Sequence, residues 1–121
     1  MHELSISQSI VDLVLAELSR MEPKPARILS VRVAAGALRQ IVPSCLQDAY
    51  RFLAEGTAVQ GSSLELRALP LKSRCRSCGR ESESPGFPGD CPSCGSAEME
   101  ITGGAELYVE SVEVEDGIAS A

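Results

Sequence analysis

Four cysteines in two Cys-x-x-Cys pairs are the residues of this chain most able to do chemistry. The pairs are Cys75/Cys78 and Cys91/Cys94, and a glycine follows each of them. Glycine permits the left-handed backbone turn with which such a knuckle closes around a metal. Four thiolates form the tetrahedral soft-ligand set that suits structural zinc, and the twelve intervening residues are within reach of a small zinc ribbon. The spacing therefore predicts a zinc site.

A second candidate ligand lies at the other end of the sequence. The single histidine, His2, stands beside the amino terminus in Met1-His2-Glu3. An α-amine, an imidazole and the intervening amide nitrogen can form fused chelate rings, and planar nitrogen-rich sets favour Ni²⁺ or Cu²⁺. A lone histidine is also compatible with an incidental surface residue, so the residues alone leave both interpretations open.

Composition restricts the class of protein. With 121 residues the chain has room for one modest core and a small metal-stapled lobe. The formal charge of -6 becomes about -8 with four thiolates and one Zn²⁺, which argues against nucleic-acid binding. We expect neither a signal peptide nor a membrane span, because acidic residues interrupt the first apolar segment and no long apolar run exists. A cytoplasmic, reducing location follows, where paired cysteines are metal ligands before they are disulfides.

Two helices are predicted from hydrophobic periodicity. Residues 4–21 carry apolar residues at helical spacing: Ile6, Ile10, Leu13, Val14, Leu18 and Met21. The second helix begins at Pro43 and is capped by Gly56 at its end. Its predicted buried stripe consists of Leu46, Ala49, Tyr50 and Leu53.

Three strands are predicted as well. Ile28–Ala35 places Leu29, Val31 and Val33 on one face, and a second strand lies near Ser63–Leu69. In Glu106–Val114 the apolar residues change parity, which indicates a bulge near residues 110–111, and the residues after Asp116 are expected to fray. We therefore predict an α+β fold, with two helices on a small three-stranded mixed sheet and an inserted four-cysteine zinc-ribbon lobe. The predicted domains are 1–70 plus 101–121, and 71–100.

Beyond these patterns, the sequence resembles the HypA family, the nickel metallochaperones of nickel–iron hydrogenase maturation. The opening Met1-His2-Glu3-Leu4-Ser5 and both cysteine knuckles carry the resemblance in a specific combination. Further matches follow in order along nearly the whole chain: Gln8-Ser9-Ile10-Val11, Val33-x-x-Gly36-Ala37-Leu38, Val42-Pro43, Gly56-Thr57, Cys94-Gly95-Ser96 and Gly103-Gly104-x-Glu106-Leu107.

The resemblance implies a nickel carrier without catalysis of its own. Met1 would contribute its amine, His2 its imidazole and amide nitrogen, and Glu3 its amide nitrogen, with the Glu3 carboxylate steering the site. The four cysteines would hold zinc. The implied partners are a nickel-handling GTPase and the hydrogenase large subunit, with no nucleic acid and no membrane; a monomer and a dimer are both compatible with the sequence. We expect the opening tripeptide to be flexible, so that few contacts need to break when nickel is released.

Several alternatives remain open at this level. The runner-up is a zinc-ribbon adaptor for a protein or nucleic acid, with His2 incidental, and the paired cysteines are also compatible with dithiol–disulfide cycling. Cys45 is expected to be a small residue of the second helix rather than a ligand. The acids of the C-terminal region are expected to face solvent: Glu106, Glu110, Glu113, Glu115 and Asp116.

Overall fold

The structure is a computed structural model that describes residues 2–25, 27–115 and 117–120, with side chains described as far as residue 115. Within these residues the chain forms two α-helices and seven strands, and a 3₁₀ turn at Ala37–Arg39 follows the first strand. In chain order they are α1 (His2–Arg20), β1 (Ile28–Gly36), α2 (Pro43–Ala54), β2 (Ser63–Leu69), β3 (Leu71–Cys75), β4 (Glu81–Ser84), β5 (Met99–Gly103), β6 (Leu107–Val114) and β7 (Gly117–Ser120). Neither helix is long and apolar enough to cross a membrane.

The strands form two sheets, in the orders β2-β1-β6-β7 and β4-β3-β5. The α+β class with a separate four-cysteine lobe is confirmed. The first sheet, however, has four strands where three were expected, because β7 pairs antiparallel with β6. The expected fraying is therefore wrong for Gly117–Ser120, while Asp116 lies outside the described residues.

The chain divides into two compact units. The first comprises Met1–Val33, Ile41–Arg67 and Tyr108–Ala121, and the second comprises Ala34–Gln40 and Ala68–Leu107. Three segments that the prediction assigned to the domain of the helices, residues 34–40, 68–70 and 101–107, belong to the second unit instead. For residues 101–103 the reason is that β5 pairs with β3 beside the cysteines.

The two helices of the first unit pack against each other, and they share its buried apolar residues with strands of the first sheet. In α1 the buried face begins at Glu3 and continues through Ser7, Ile10, Val11 and Val14, which are the i, i+3, i+4 and i+7 positions counted from Ser7. Leu13, expected in this stripe, is 44% exposed instead. In α2, Leu46, Tyr50 and Ala54 are buried, whereas the expected Ala49 and Leu53 are only half-buried.

The buried side changes along both central strands of the first sheet. In β6 the buried residues are Val109, Val112 and Val114, so the predicted change of parity is confirmed. In β1, Ile28 is buried and Leu29, expected to be inward, is half-buried. The bulge itself stays a prediction.

Within the second unit, the backbone at Gly36 passes very close to the backbone at Gly104 and is hydrogen-bonded to that segment. The Gly36 N–H donates to the Glu106 carbonyl at 2.8 Å, and the Leu38 N–H donates to the Gly104 carbonyl at 2.8 Å. A Cβ atom at position 36 would lie 2.0 Å from the Gly104 oxygen and 2.5 Å from Oε1 of Glu106. Only glycine fits this crossing. The Glu106 side chain, expected to face solvent, has a buried Oε1.

Candidate metal centres

The two cysteine knuckles fold in the same way. In each, the N–H of the first cysteine bonds the carbonyl five residues later, Cys75 to Arg80 at 2.9 Å and Cys91 to Ser96 at 2.8 Å. Gly79 and Gly95 follow the second cysteines with φ of 80° and 78°, and this left-handed conformation favours glycine. The local turn chemistry anticipated from the sequence is therefore present in both knuckles.

The knuckles bring all four thiols together. Their sulfur atoms lie within 4.8 Å of one another, with Cys75 and Cys94 at 3.6 Å and Cys78 and Cys91 at 3.7 Å. Cys75 and Cys91 are buried, whereas Cys78 and Cys94 are exposed. The second unit thus contains a four-cysteine metal-binding site. Four ligands of one type complete a tetrahedron and leave no open position for a substrate.

Backbone hydrogen bonds prepare two of these thiols to ionise. The N–H of Cys78 stabilises the Cys75 thiolate and lowers its pKa to about 6, and N–H groups of Cys94 and Ser93 lower the pKa of Cys91. For Cys94 the Ser96 N–H acts in the same direction. Hydrogen bonds to the neighbouring thiols and burial outweigh it and raise the Cys94 pKa to about 12. A metal entering at neutral pH therefore meets a preformed thiolate at Cys75 and must displace the Cys94 proton.

The predicted nickel residues lie in the first turn of α1. The His2 side chain is 51% exposed, and its Nε2 lies 3.1 Å from Oε2 of Glu3. The expected flexible tripeptide is not what the structure shows at these two positions, because both belong to the helix. Met1 lies outside the described residues.

Glu3 connects this first turn to the other helix. Its side chain is only 12% exposed, and Oε2 accepts a bond from the Val42 N–H at 3.4 Å. Val42 is the N-cap of α2, which has no side-chain cap of its own. One turn further along both helices, the Ser7 hydroxyl donates to the Leu46 carbonyl at 3.1 Å. The Glu3 carboxylate therefore lies where two helix amino termini converge, and both helix dipoles favour its negative charge.

The burial of Glu3 and Ser7 was not predicted from the sequence. Both lie on the buried stripe at i and i+4, so their spacing was a usable signal, but polar residues are seldom assigned to a core. Cys45 is exposed on α2 and does not belong to the four-cysteine cluster. Its place on the helix surface agrees with the expectation.

An α+β protein whose four cysteines converge on one position is a metal-binding protein, and a closed four-thiolate site of this kind is structural. The family model for hydrogenase and urease nickel-incorporation metallochaperones, HypA, matches residues 1–114. The chain belongs to the HypA family of hydrogenase nickel-incorporation metallochaperones.

The sequences of curated HypA relatives align with this chain over nearly their whole length. The chain is 38% identical over 116 residues to a hydrogenase maturation factor HypA of Desulfitobacterium hafniense, which covers 96% of this chain and 100% of the relative. It is 34% identical to the factor of Streptomyces avermitilis, covering 97% of this chain and 89% of the relative.

Solved structures support the fold. The solution structure of the nickel metallochaperone HypA from Helicobacter pylori matches with a TM-score of 0.61 at 22% identity, over 93% of this chain and 96% of that one. A second HypA solution structure matches with a TM-score of 0.64 at 24% identity, over 94% of this chain and 96% of that one.

Proposed function

We propose that this protein binds Ni²⁺ at its amino terminus and delivers it for the maturation of a nickel–iron hydrogenase, while the four cysteines hold a structural zinc ion. Nickel is cargo in this account, and the protein catalyses no reaction. Membership of the HypA family supports the class of cargo. The ligand sets and the delivery are our proposal.

The observation that carries the proposal is the position of His2 and Glu3 in the first helical turn. The first four N–H groups of a helix have no partner within the helix. The amide nitrogens of His2 and Glu3 can therefore lose their protons to a metal without the loss of a helical hydrogen bond. The half-exposed His2 imidazole is beside them. Together with the amine of Met1, taken as the start of the mature chain, they would supply the planar nitrogen set that suits Ni²⁺.

The Glu3 carboxylate supports the site without serving as a ligand in this proposal. It is already engaged with the His2 imidazole and the Val42 N–H. These contacts orient the ring and tie the end of α1 to α2. Release to a partner then requires the opening of one exposed helix end rather than of a buried cage.

The cysteine cluster fits zinc. A tetrahedron with Zn–S bonds of about 2.3 Å separates its sulfur atoms by about 3.8 Å. The two closest pairs in the structure are 3.6 and 3.7 Å apart. Zinc ligated by Cys75, Cys78, Cys91 and Cys94 would stabilise the second unit and would not exchange with the nickel cargo.

The partners belong to the proposal too. A carrier of this kind acts in the cytoplasm between a nickel-handling GTPase and the hydrogenase large subunit. The exposed end of α1 offers nickel to either partner. The family to which the chain belongs supports a role in nickel incorporation, and the two partners are part of our proposal.

Calorimetry on the untagged protein tests the nickel site. We expect His2→Ala, or two residues added ahead of Met1, to lower Ni²⁺ affinity at least about 100-fold, because either change removes part of the fused chelate. Gln8→Ala, an exposed change on the same helix, is the matched control and should bind nickel like the parent. Unchanged nickel affinity in both altered proteins would contradict the proposal and favour the zinc-ribbon adaptor.

A further inference from the structure

Hydrogen bonds that involve no cysteine join the two knuckles. The Ser77 hydroxyl donates to Oγ of Ser96 at 3.0 Å, and Nη1 of Arg80 donates to Oγ of Ser93 at 3.0 Å. All four side chains belong to the second unit.

The two bonds are equivalent positions of a repeated motif. Ser77 and Ser93 are the third residues of the knuckles that begin at Cys75 and Cys91. Arg80 and Ser96 are the sixth, and their carbonyls close the knuckles through bonds to the first cysteines. The third residue of each knuckle therefore bonds the sixth residue of the other, which gives the pair an approximate two-fold arrangement.

We propose that these two bridges, Ser77–Ser96 and Arg80–Ser93, are positioning contacts that hold the thiolate pairs face to face and thereby slow the escape of the metal. The inference rests on the proposed zinc site. Metal leaves more readily when one knuckle moves away from the other, because each knuckle supplies two of the four ligands. A bridge on each side of the cluster resists that movement and returns the knuckle after a partial opening.

The bridges differ in strength. The Arg80 guanidinium is a charged donor, whereas its acceptor, the Ser93 hydroxyl, is neutral. Such a bond is weaker than one between two charged groups but stronger than a bond between two hydroxyls. Ser96 Oγ also accepts a hydrogen bond from the Glu98 N–H at 3.1 Å, which helps to hold this hydroxyl beside Ser77. We therefore expect the Arg80–Ser93 bridge to contribute more to metal retention than the Ser77–Ser96 bridge.

The test measures zinc release from the zinc-loaded protein to an excess of a chromogenic chelator. Loss of one hydrogen bond should raise the rate of zinc release about two- to ten-fold in Ser77→Ala or Ser93→Ala. The double variant should release zinc faster than either single variant. Ser82→Ala is the matched control, because the Ser82 hydroxyl lies in the same unit and has no hydrogen-bond partner among the described residues. Its release rate should equal that of the parent.

Two further variants separate positioning from a general loss of stability. Ser93→Ala should add little in an Arg80→Ala background, since that bridge is already absent. Ser77→Thr keeps a hydroxyl and should restore slow release. Equal release rates in the parent and both single alanine variants would overturn the inference, and so would full additivity of Arg80→Ala and Ser93→Ala. A parent that binds no zinc would instead refute the zinc assignment under the proposed function.

Discussion

Gly36→Ala should selectively destabilise the second unit. The added Cβ would lie 2.0 Å from the Gly104 oxygen and 2.2 Å from its carbonyl carbon. These are backbone atoms, so the crossing must open and the bonds from Gly36 to Glu106 and from Leu38 to Gly104 must lengthen. Overpacking costs about 1–3 kcal/mol, and two weakened hydrogen bonds add about 1 kcal/mol each. The sum is about 3–5 kcal/mol, and we expect a loss near its lower end, about 3 kcal/mol.

Two probes follow the units separately during urea unfolding. Both helices belong to the first unit, so far-ultraviolet circular dichroism reports mainly on that unit, whereas zinc release reports on the second. Gly36→Ala should lower the urea midpoint of zinc release by about 2 M at a slope of about 1.5 kcal/mol per molar.

Gly89→Ala is the control for this prediction, because nothing lies within 4 Å of its added Cβ. The control should change stability by less than about 1 kcal/mol. If Gly36→Ala and Gly89→Ala released zinc at the same urea concentration, the close crossing would not constrain this unit.

Three further perturbations address the helices and the cysteines. Glu3→Ala should destabilise the first unit by about 1 kcal/mol in urea unfolding followed by circular dichroism, because α2 loses the carboxylate that accepts its Val42 N–H, and Glu3→Gln should recover part of this loss as a neutral acceptor. Burial raises the pKa of Tyr50, so its contribution is complete below about pH 10, the unfolded value, and declines as pH rises toward the folded pKa. Tyr50→Phe should therefore remove part of the alkaline loss of stability seen by chemical denaturation; an unchanged alkaline profile would refute this. Cys45→Ser should leave one zinc per chain by mass spectrometry, whereas Cys91→Ser should lose it.

The cysteine cluster was predictable because its determinants are local. Each knuckle encodes its own turn through the Cys-x-x-Cys-Gly spacing, and the two knuckles together bring four thiols within 4.8 Å of one another. The bridges between knuckles were not predictable. Serine and arginine at these positions give no signal until the three-dimensional equivalence of the two knuckles is known.

The strands of the second unit escaped prediction for a different reason. Exposed and buried residues alternate in β3, and its exposed residues are Lys72 and Arg74. The sequence of β4 is Glu-Ser-Glu-Ser. Their pairing sets Lys72 opposite Glu83 and Arg74 opposite Glu81. Opposite charges across strands stabilise a small sheet that lacks an apolar stripe, so hydrophobic periodicity could not reveal it.

The helices were predictable in place but not in every contact. The hydrophobic period identified α1 as a helix, but it predicted that Leu13 is buried, whereas in the structure Val11 is buried and Leu13 is exposed. Both residues are apolar, and tertiary packing against α2 decides between them. The Glu3 carboxylate accepts a hydrogen bond from Val42, which lies 39 positions further along the chain, and no local sequence pattern encodes such a contact.

Native mass spectrometry of the untagged protein, supplied with both metals, tests the central claim most directly. The account predicts one zinc and one nickel per chain, and zinc alone in the His2→Ala protein. Nickel retained in full by His2→Ala, or zinc alone in the parent, would contradict it.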